Sequence, residues 1–214
     1  MGEYLPLFID FSGKKVVIFG GGAVGERKAR YFAGAEVTVV SREFTPCLEA
    51  MGRDGMIRLE RRSVGSDDVA SLIDDAFLVV AATGDRALND EITRIAVERG
   101  ILANNATGDS PAIVPSLVKK GDIMVAISTG GRSPAMAKYL RKRLELALGD
   151  GIGRMVKLQE TVREALKSIE KDQKRREQIL WEILEDAGVW EALQESNEKA
   201  MEMARRHFPQ SSDR

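Results

Sequence analysis

The 214 residues contain one cysteine, Cys47, and one histidine, His207. A lone cysteine excludes an internal disulfide and suits a reducing cytoplasm, the expected location. With a single histidine beside it, a zinc site of the usual Cys/His type cannot be assembled within one chain, so no resident metal is expected. Cys47 reads as an ordinary small residue, and His207, next to Phe208 and Pro209, as a solvated one. Long apolar runs are missing too. No stretch approaches the ~20 residues that cross a bilayer, so no membrane partner is expected. At the start, Glu3 is acidic and Pro6 and Asp10 break the apolar stretch, which argues against a signal peptide; Pro6 stands where a myristoylation start needs Ser or Thr. Charge of one sign is not in excess either. Lys plus Arg number 32 against 33 Asp plus Glu, a net charge of −1 that gives no global positive field for nucleic acid. Aromatics are only 6%, yet 43% hydrophobic residues suffice for a sizeable core.

What the sequence does have is a short β-branched run, Val16-Val17-Ile18-Phe19, that breaks into Gly20-Gly21-Gly22-Ala23-Val24-Gly25 before a helical stretch from Glu26 to about Ala33. This is the G-x-G-x-x-G turn of a dinucleotide site. One glycine makes the tight turn, one lets backbone approach a pyrophosphate, and one allows close helix–sheet packing. Free N–H groups and the positive dipole end at the helix start suit phosphate. Gly20, Gly22, Ala23, Val24 and Gly25 are therefore candidate cofactor contacts.

Glu36–Val40 reads as the second strand and completes a βαβ unit. It runs into Ser41, Arg42 and Glu43, where a dinucleotide fold often carries an Asp or Glu for the ribose hydroxyls. Arg42 could instead accept a 2′-phosphate, so NAD and NADP both stay open. Residues 56–60, 77–82, 101–103 and 123–127 read as further strands, with a short helix near Asp67-Asp68 and another over about 87–98. Residues 4–12 read as an ordered lead-in packed on the sheet. Strand–helix alternation implies an α/β, doubly wound, mostly parallel sheet of Rossmann type. Ligands of such sheets bind beyond the carboxyl ends of the strands. The glycine loop, Thr83–Asn89 with Thr83, Asp85 and Asn89, and Asn104–Pro111 are thus expected to line one crevice.

After the sixth strand come Ser128-Thr129-Gly130-Gly131-Arg132 and then Ser133-Pro134, an N-cap followed by a proline suited to the first turn of a helix reaching Gly149. Lys138, Arg141, Lys142 and Arg143 make one face of that helix basic. For some of these four a solvated face is the simpler reading, while with Arg132 and the Gly130-Gly131 backbone beside them an anion-facing role stays open. Beyond Gly149 the strand signals stop. Three helical stretches follow, about 152–169, 174–187 and 189–206, with charge runs such as Lys174-Arg175-Arg176 as solvated surface and a frayed tail from Pro209. The expected organisation is a nucleotide-binding domain over 1–112, a segment over 113–149, and a helical domain over 150–214.

Four stretches go beyond a generic glycine loop: LPLF at 5–8, GGGAVGERKAR at 20–30, AATGDRALN at 81–89 and STGGRSPAMAKYLRKRLE at 128–145. In order and spacing they resemble the siroheme synthase N-terminal family, that is, precorrin-2 dehydrogenase, sometimes combined with sirohydrochlorin ferrochelatase. The resemblance implies NAD-dependent oxidation of precorrin-2, a tetrapyrrole, to sirohydrochlorin by a homodimer whose segment 113–148 makes much of the interface. It also implies that Ser128, Thr129, Gly130, Gly131, Arg132, Lys138, Arg141 and Lys142 recognise the substrate and its carboxylates. The family's proton-removing aspartate aligns with Thr107, Gly108 or Asp109 in a loop that is shorter here. Asp109 is the only carboxylate in that loop and is taken as the catalytic base. Two alternatives are a bifunctional enzyme that also inserts iron, and a non-catalytic NAD-sensing module.

Overall fold

The computed structural model describes residues 4–209. Expectations for the first three residues, and for fraying beyond Pro209, lie outside them. The chain divides into two compact units, 1–114 and 115–214.

In the first unit β1 (Lys15–Phe19), β2 (Glu36–Ser41), β3 (Arg58–Arg61), β4 (Leu78–Ala81) and β5 (Leu102–Asn105) form a parallel sheet in the order β3-β2-β1-β4-β5. Helices α1 (Ala23–Tyr31), α2 (Pro46–Arg53), α3 (Ser66–Leu72) and α4 (Arg86–Glu98) connect them. Strand alternation divides the core between two faces. Val16, Ile18, Val39 and Val80 pack with Ala29, Phe32, Leu48 and Met51. Val17, Phe19, Val79 and Ala103 pack with Val69, Ile92 and Ala96. Burial on both faces explains the apolar runs of the central strands, Val16–Phe19 in β1 and Leu78–Ala81 in β4. The order reverses between β1 and β4, and that switch point places the glycine loop at the mouth of a crevice.

Several sequence expectations shift. Helix α1 starts at Ala23 rather than Glu26, so the glycine loop feeds directly into its first turn. Asn104 and Asn105 belong to β5 rather than to the loop after it. The lead-in does not pack on the sheet as expected: Leu5, Leu7 and Phe8 are 77%, 79% and 67% exposed, and only Phe11 joins the core, against Phe32 and Phe77. Pro6 and the lack of any strand partner leave the preceding residues without a ladder to hold them down.

The second unit opens with β6 (Ser116–Lys120), unforeseen from the sequence, paired antiparallel with β7 (Ile123–Ile127). The sixth expected strand therefore belongs to a separate hairpin turned at Gly121, whose φ of 59° suits glycine. Helix α5 (Pro134–Ala147) has no buried residue among those described. Helices α6 (Gly151–Ile169), α7 (Gln173–Glu185), α8 (Ala187–Glu195) and α9 (Asn197–Arg205) share a core of Met155, Leu158, Val162, Leu166, Ile179, Ile183, Leu193 and Ala204. The last expected helix is thus two. Ser196, extended at φ −158° and ψ 160°, interrupts it and accepts a hydrogen bond from Lys199 N at 3.1 Å as the new N-cap. His207 is not a solvated residue: its Nε2 lies 2.9 Å from Asp186 Oδ2, where the end of α9 meets the α7–α8 corner.

Candidate functional site

The crevice at the switch point is a cleft of about 1110 Å³ built on the glycine loop. Gly20 has φ +117°, and a Cβ there would come within 2.2 Å of Ala82 O. At Gly25 a Cβ would meet Gly20 O at 1.9 Å, so only glycine lets α1 lie against the end of β1. A Cβ on Gly22 would meet nothing within 4 Å, which leaves that side of the turn clear for a ligand. Gly22 is the N-cap of α1 without a side-chain capping bond, and the first-turn N–H groups are the donors such a helix end offers to phosphate. The cleft and its cradle fit a dinucleotide.

Gly21, which the fingerprint leaves unassigned, is equally constrained: its Cβ would meet Glu43 O at 2.0 Å. Its carbonyl accepts from Thr45 N at 3.0 Å. Thr45 in turn caps α2 and donates its hydroxyl to Glu26 Oε2 at 2.7 Å, and this bond, with help from Arg30, holds the Glu26 carboxyl below its usual range. Glu26 and Arg30 thereby fasten the glycine loop to the turn after β2. Cys47 is half-buried at this junction, its Sγ 2.8 Å from Arg30 Nη2. Lys28 on α1 is half-buried, and burial pushes its ammonium down to about 8.

Of the expected cofactor contacts, Gly20, Gly22, Ala23, Val24, Ser41, Arg42, Glu43, Thr83 and Asp85 line the cleft. Gly25 and Asn89 do not; they act from beneath. Asn89 is fully buried on α4, and its Oδ1 accepts from Thr83 N at 2.9 Å and Thr83 Oγ1 at 2.7 Å. Its Nδ2 donates to Thr83 O at 3.1 Å and to Thr107 Oγ1 at 3.1 Å. Asp85 caps α4 through Leu88 N at 3.2 Å. Lining residues outside the stretches expected to form the crevice are the strand ends Phe19, Val40 and Ala82, then Phe44, Thr45 and the Arg62-Ser63-Val64 stretch. The last could have been found, because it follows β3 and obeys the same strand-end rule.

The Asn104–Pro111 stretch is not part of the cleft lining, contrary to the single crevice expected of it. It is joined to the lining through Asn89 instead. Asn105 Oδ1 accepts from Thr107 N and Gly108 N at 2.9 and 3.0 Å, and its Nδ2 donates to Asp90 Oδ1 at 2.8 Å. A Cβ on Gly108 would fall 2.6 Å from Asp90 Oδ1, which explains glycine there. Asp109 is exposed on this braced turn.

In the second unit, Thr129 Oγ1 accepts from Ser133 N and donates to Ser133 O, both at 3.1 Å, and Ser128 Oγ accepts from Gly130 N at 3.1 Å. Gly130 and Gly131 have φ of 60° and 78°, values that glycine tolerates without strain. Ser133 caps α5 through Met136 N at 3.2 Å. Lys138 and Lys142 are exposed along α5, whereas Arg141 is paired with Glu145 one turn on. Among the described residues, no group of three or more His, Cys, Asp or Glu side chains is placed to hold a metal ion. No helix among them is long and apolar enough to cross a membrane.

A family model described as NAD(P)-binding matches residues 7–116, and one described as the central part of a sirohaem biosynthesis protein matches residues 120–146. The chain is 43% identical over 206 residues to a precorrin-2 dehydrogenase of Methanosarcina barkeri, covering 94% of this chain and 92% of that protein. A siroheme synthase of Nitrosococcus oceani is 33% identical over 94% of this chain, but this chain spans only 44% of it. For siroheme synthase 2 of Cronobacter sakazakii the identity is 39%, over 72% of this chain and 34% of that one. The solved structure of SirC, a precorrin-2 dehydrogenase, superposes with a TM-score of 0.76 at 23% identity, covering 95% of this chain and all of the other, and so shares the fold.

Proposed function

The chain belongs to the precorrin-2 dehydrogenase family, and from that membership we propose that it oxidises precorrin-2 to sirohydrochlorin, with a nicotinamide dinucleotide as hydride acceptor. The observation that carries this reading is the match to the Methanosarcina barkeri dehydrogenase at 43% identity over 94% of this chain and 92% of that protein. The glycine cleft supports it independently.

When bound, the nicotinamide supplies the hydride acceptor. The chain's own residues bind, orient and move a proton. The α1 N-terminus and the backbone of Gly20–Gly22 hold the pyrophosphate, and Ser41, Arg42 and Glu43 the adenosine ribose. Thr83, locked by Asn89, and Asp85 set the wall on the β4 side of the loop. Asp109 takes the proton that must leave the macrocycle as hydride is removed; a carboxylate base of this kind contributes ~10²–10⁴ in rate. In the second unit Arg132, Lys138, Arg141 and Lys142, with Ser128, Thr129, Gly130 and Gly131, recognise the acetate and propionate groups. The active form is a homodimer joined through the segment around α5, working in the cytoplasm with NAD as acceptor.

Anaerobic incubation of the protein with precorrin-2 and NAD, and separately with NADP, tests the reading. The absorbance should move to that of sirohydrochlorin, and Asp109→Ala should slow the change by ~10²-fold or more. No conversion with either dinucleotide would refute the function. Full rate in Asp109→Ala would refute the base assignment alone.

A further inference from the structure

We infer that Thr107 and Asn89 form a positioning link, which holds the turn carrying Asp109 in a fixed place against the cofactor wall at Thr83 and so governs the proton step without touching the dinucleotide. This inference rests on the proposed dehydrogenation and on Asp109 as its base.

In the sequence Thr83–Asn89 and Asn104–Pro111 are two separate polar stretches. In the structure the first turns of α4 bond to both. The fully buried amide of Asn89 accepts twice from Thr83, at N and Oγ1, and donates to Thr83 O and to Thr107 Oγ1, so all its bonding capacity goes to these two residues. Asp90, the next residue, accepts from Asn105 Nδ2, and Asn105 Oδ1 accepts from Thr107 N and Gly108 N. Ser110 closes the other side of the turn. Its Oγ accepts from Asn104 Nδ2 at 2.9 Å and from Asn105 N at 3.0 Å, and donates to Ala112 O at 2.8 Å. None of these bonds goes to the Asp109 carboxylate, whose place is therefore set by the backbone between Gly108 and Ser110. A buried, fully satisfied polar network is costly to disturb, which fixes that backbone relative to Thr83.

The Thr107 hydroxyl is bound both ways: it accepts from Asn89 Nδ2 and donates to Asn105 Oδ1, each at 3.1 Å. Among the three positions with which the family's aspartate can align, Thr107 is thus a strut and Asp109 the proton acceptor. Thr107 and Asn89 lie outside the cleft lining, so breaking their bond leaves the dinucleotide's own contacts in place. The reacting groups are less tolerant, because a misplacement of ~1 Å costs ~10²-fold in rate.

Steady-state kinetics with precorrin-2 and dinucleotide titration of the full-length protein test the link, with Thr107→Val, Thr107→Ser, Asp109→Ala and the Thr107→Val/Asp109→Ala double variant beside the parent. Thr107 is exposed and valine keeps its shape, whereas replacing Asn89 would strip a buried network and test folding instead. Thr107→Val should lower kcat about 10- to 100-fold while the dinucleotide Kd stays within about threefold. Thr107→Ser, which restores the hydroxyl, should return kcat to within about threefold of the parent. In the Asp109→Ala background the loss caused by Thr107→Val should shrink to under about threefold, because the link acts through that carboxylate. Full rate in Thr107→Val would overturn the proposal, as would a loss that serine does not recover, a matching loss of dinucleotide affinity, or an undiminished loss in the double variant. A parent that converts no precorrin-2, or an Asp109→Ala variant at full rate, would instead remove the reading beneath it. Either result is distinct from an active, Asp109-dependent enzyme that Thr107→Val leaves unchanged.

Discussion

At the scale of single residues, the cleft depends on side chains that are absent and on one that is buried. Gly20, Gly21 and Gly25 each stand where a Cβ would enter backbone at 2.2 Å or less. Asn89, by contrast, contributes a fully buried amide whose four hydrogen bonds fix Thr83 and tie it to Thr107. Lys28 is a different case, a half-buried ammonium held down to about 8 by burial. In the unfolded chain it titrates near ~10.4, so between the two values the unfolded state binds more protons and stability rises with pH. The cost of burying the charge is therefore full below pH 8 and gone above ~10.4. Lys28→Met should stabilise the protein by on the order of 1–2 kcal/mol near pH 7, allowing for solvent screening, with the gain fading as pH climbs toward 10. Denaturant melts of both proteins across that range check it. A gain that did not vary with pH would place its origin in packing.

At the scale of elements, helix starts do the positioning. Thr45, Asp85 and Ser133 each cap a helix that begins directly after a loop carrying candidate site residues. In the bundle Asp186 has this part for α8, accepting from Gly188 N at 2.7 Å while also bonding His207. The His207 bond, followed by the backbone N–H bonds, holds the Asp186 carboxyl below its usual range. A lowered folded-state value adds stability that is present above the unfolded value near ~3.9 and is lost as pH falls through the folded one. Asp186→Ala should thus cost ~1 kcal/mol at neutral pH, with the difference from the parent narrowing below about pH 4. Thermal melts at pH 7 and pH 3 give the comparison. Equal losses at both would show that the carboxylate's charge is not involved.

At the scale of the molecule, two units have separate cores and carry different halves of the proposed chemistry. The first unit contains the whole cleft lining. The second exposes Met124, Met136, Tyr139 and Leu140, and Leu146 to 80%, along β7 and α5. An apolar stripe on a helix with no buried residue is what a symmetric subunit contact would cover. Tyr139→Glu with Leu146→Glu should convert the proposed dimer into a monomer in multi-angle light scattering, with the helical circular dichroism retained. A dimer that survived both changes would place the contact elsewhere.

The sequence alone determined what depends on neighbours in the chain: the buried strands from Val16, Val37 and Leu78, the glycine turn, the Ser133-Pro134 helix start, and the family. These follow from side-chain period, turn chemistry and capping, which act over a few residues. What depends on distant partners was decided by the tertiary structure. Gly21 is required because the turn at Glu43 lies against it, and Asn89 is buried because Thr83 and Thr107 meet there. Residues 116–120 become a strand only by pairing with β7, and the apolar lead-in stays exposed because no strand accepts it. His207, polar and near the chain end, is drawn in by a carboxylate that the fold brings back to it. Hydrogen-bond satisfaction and backbone approach are properties of the packed chain, and a one-dimensional pattern does not contain them.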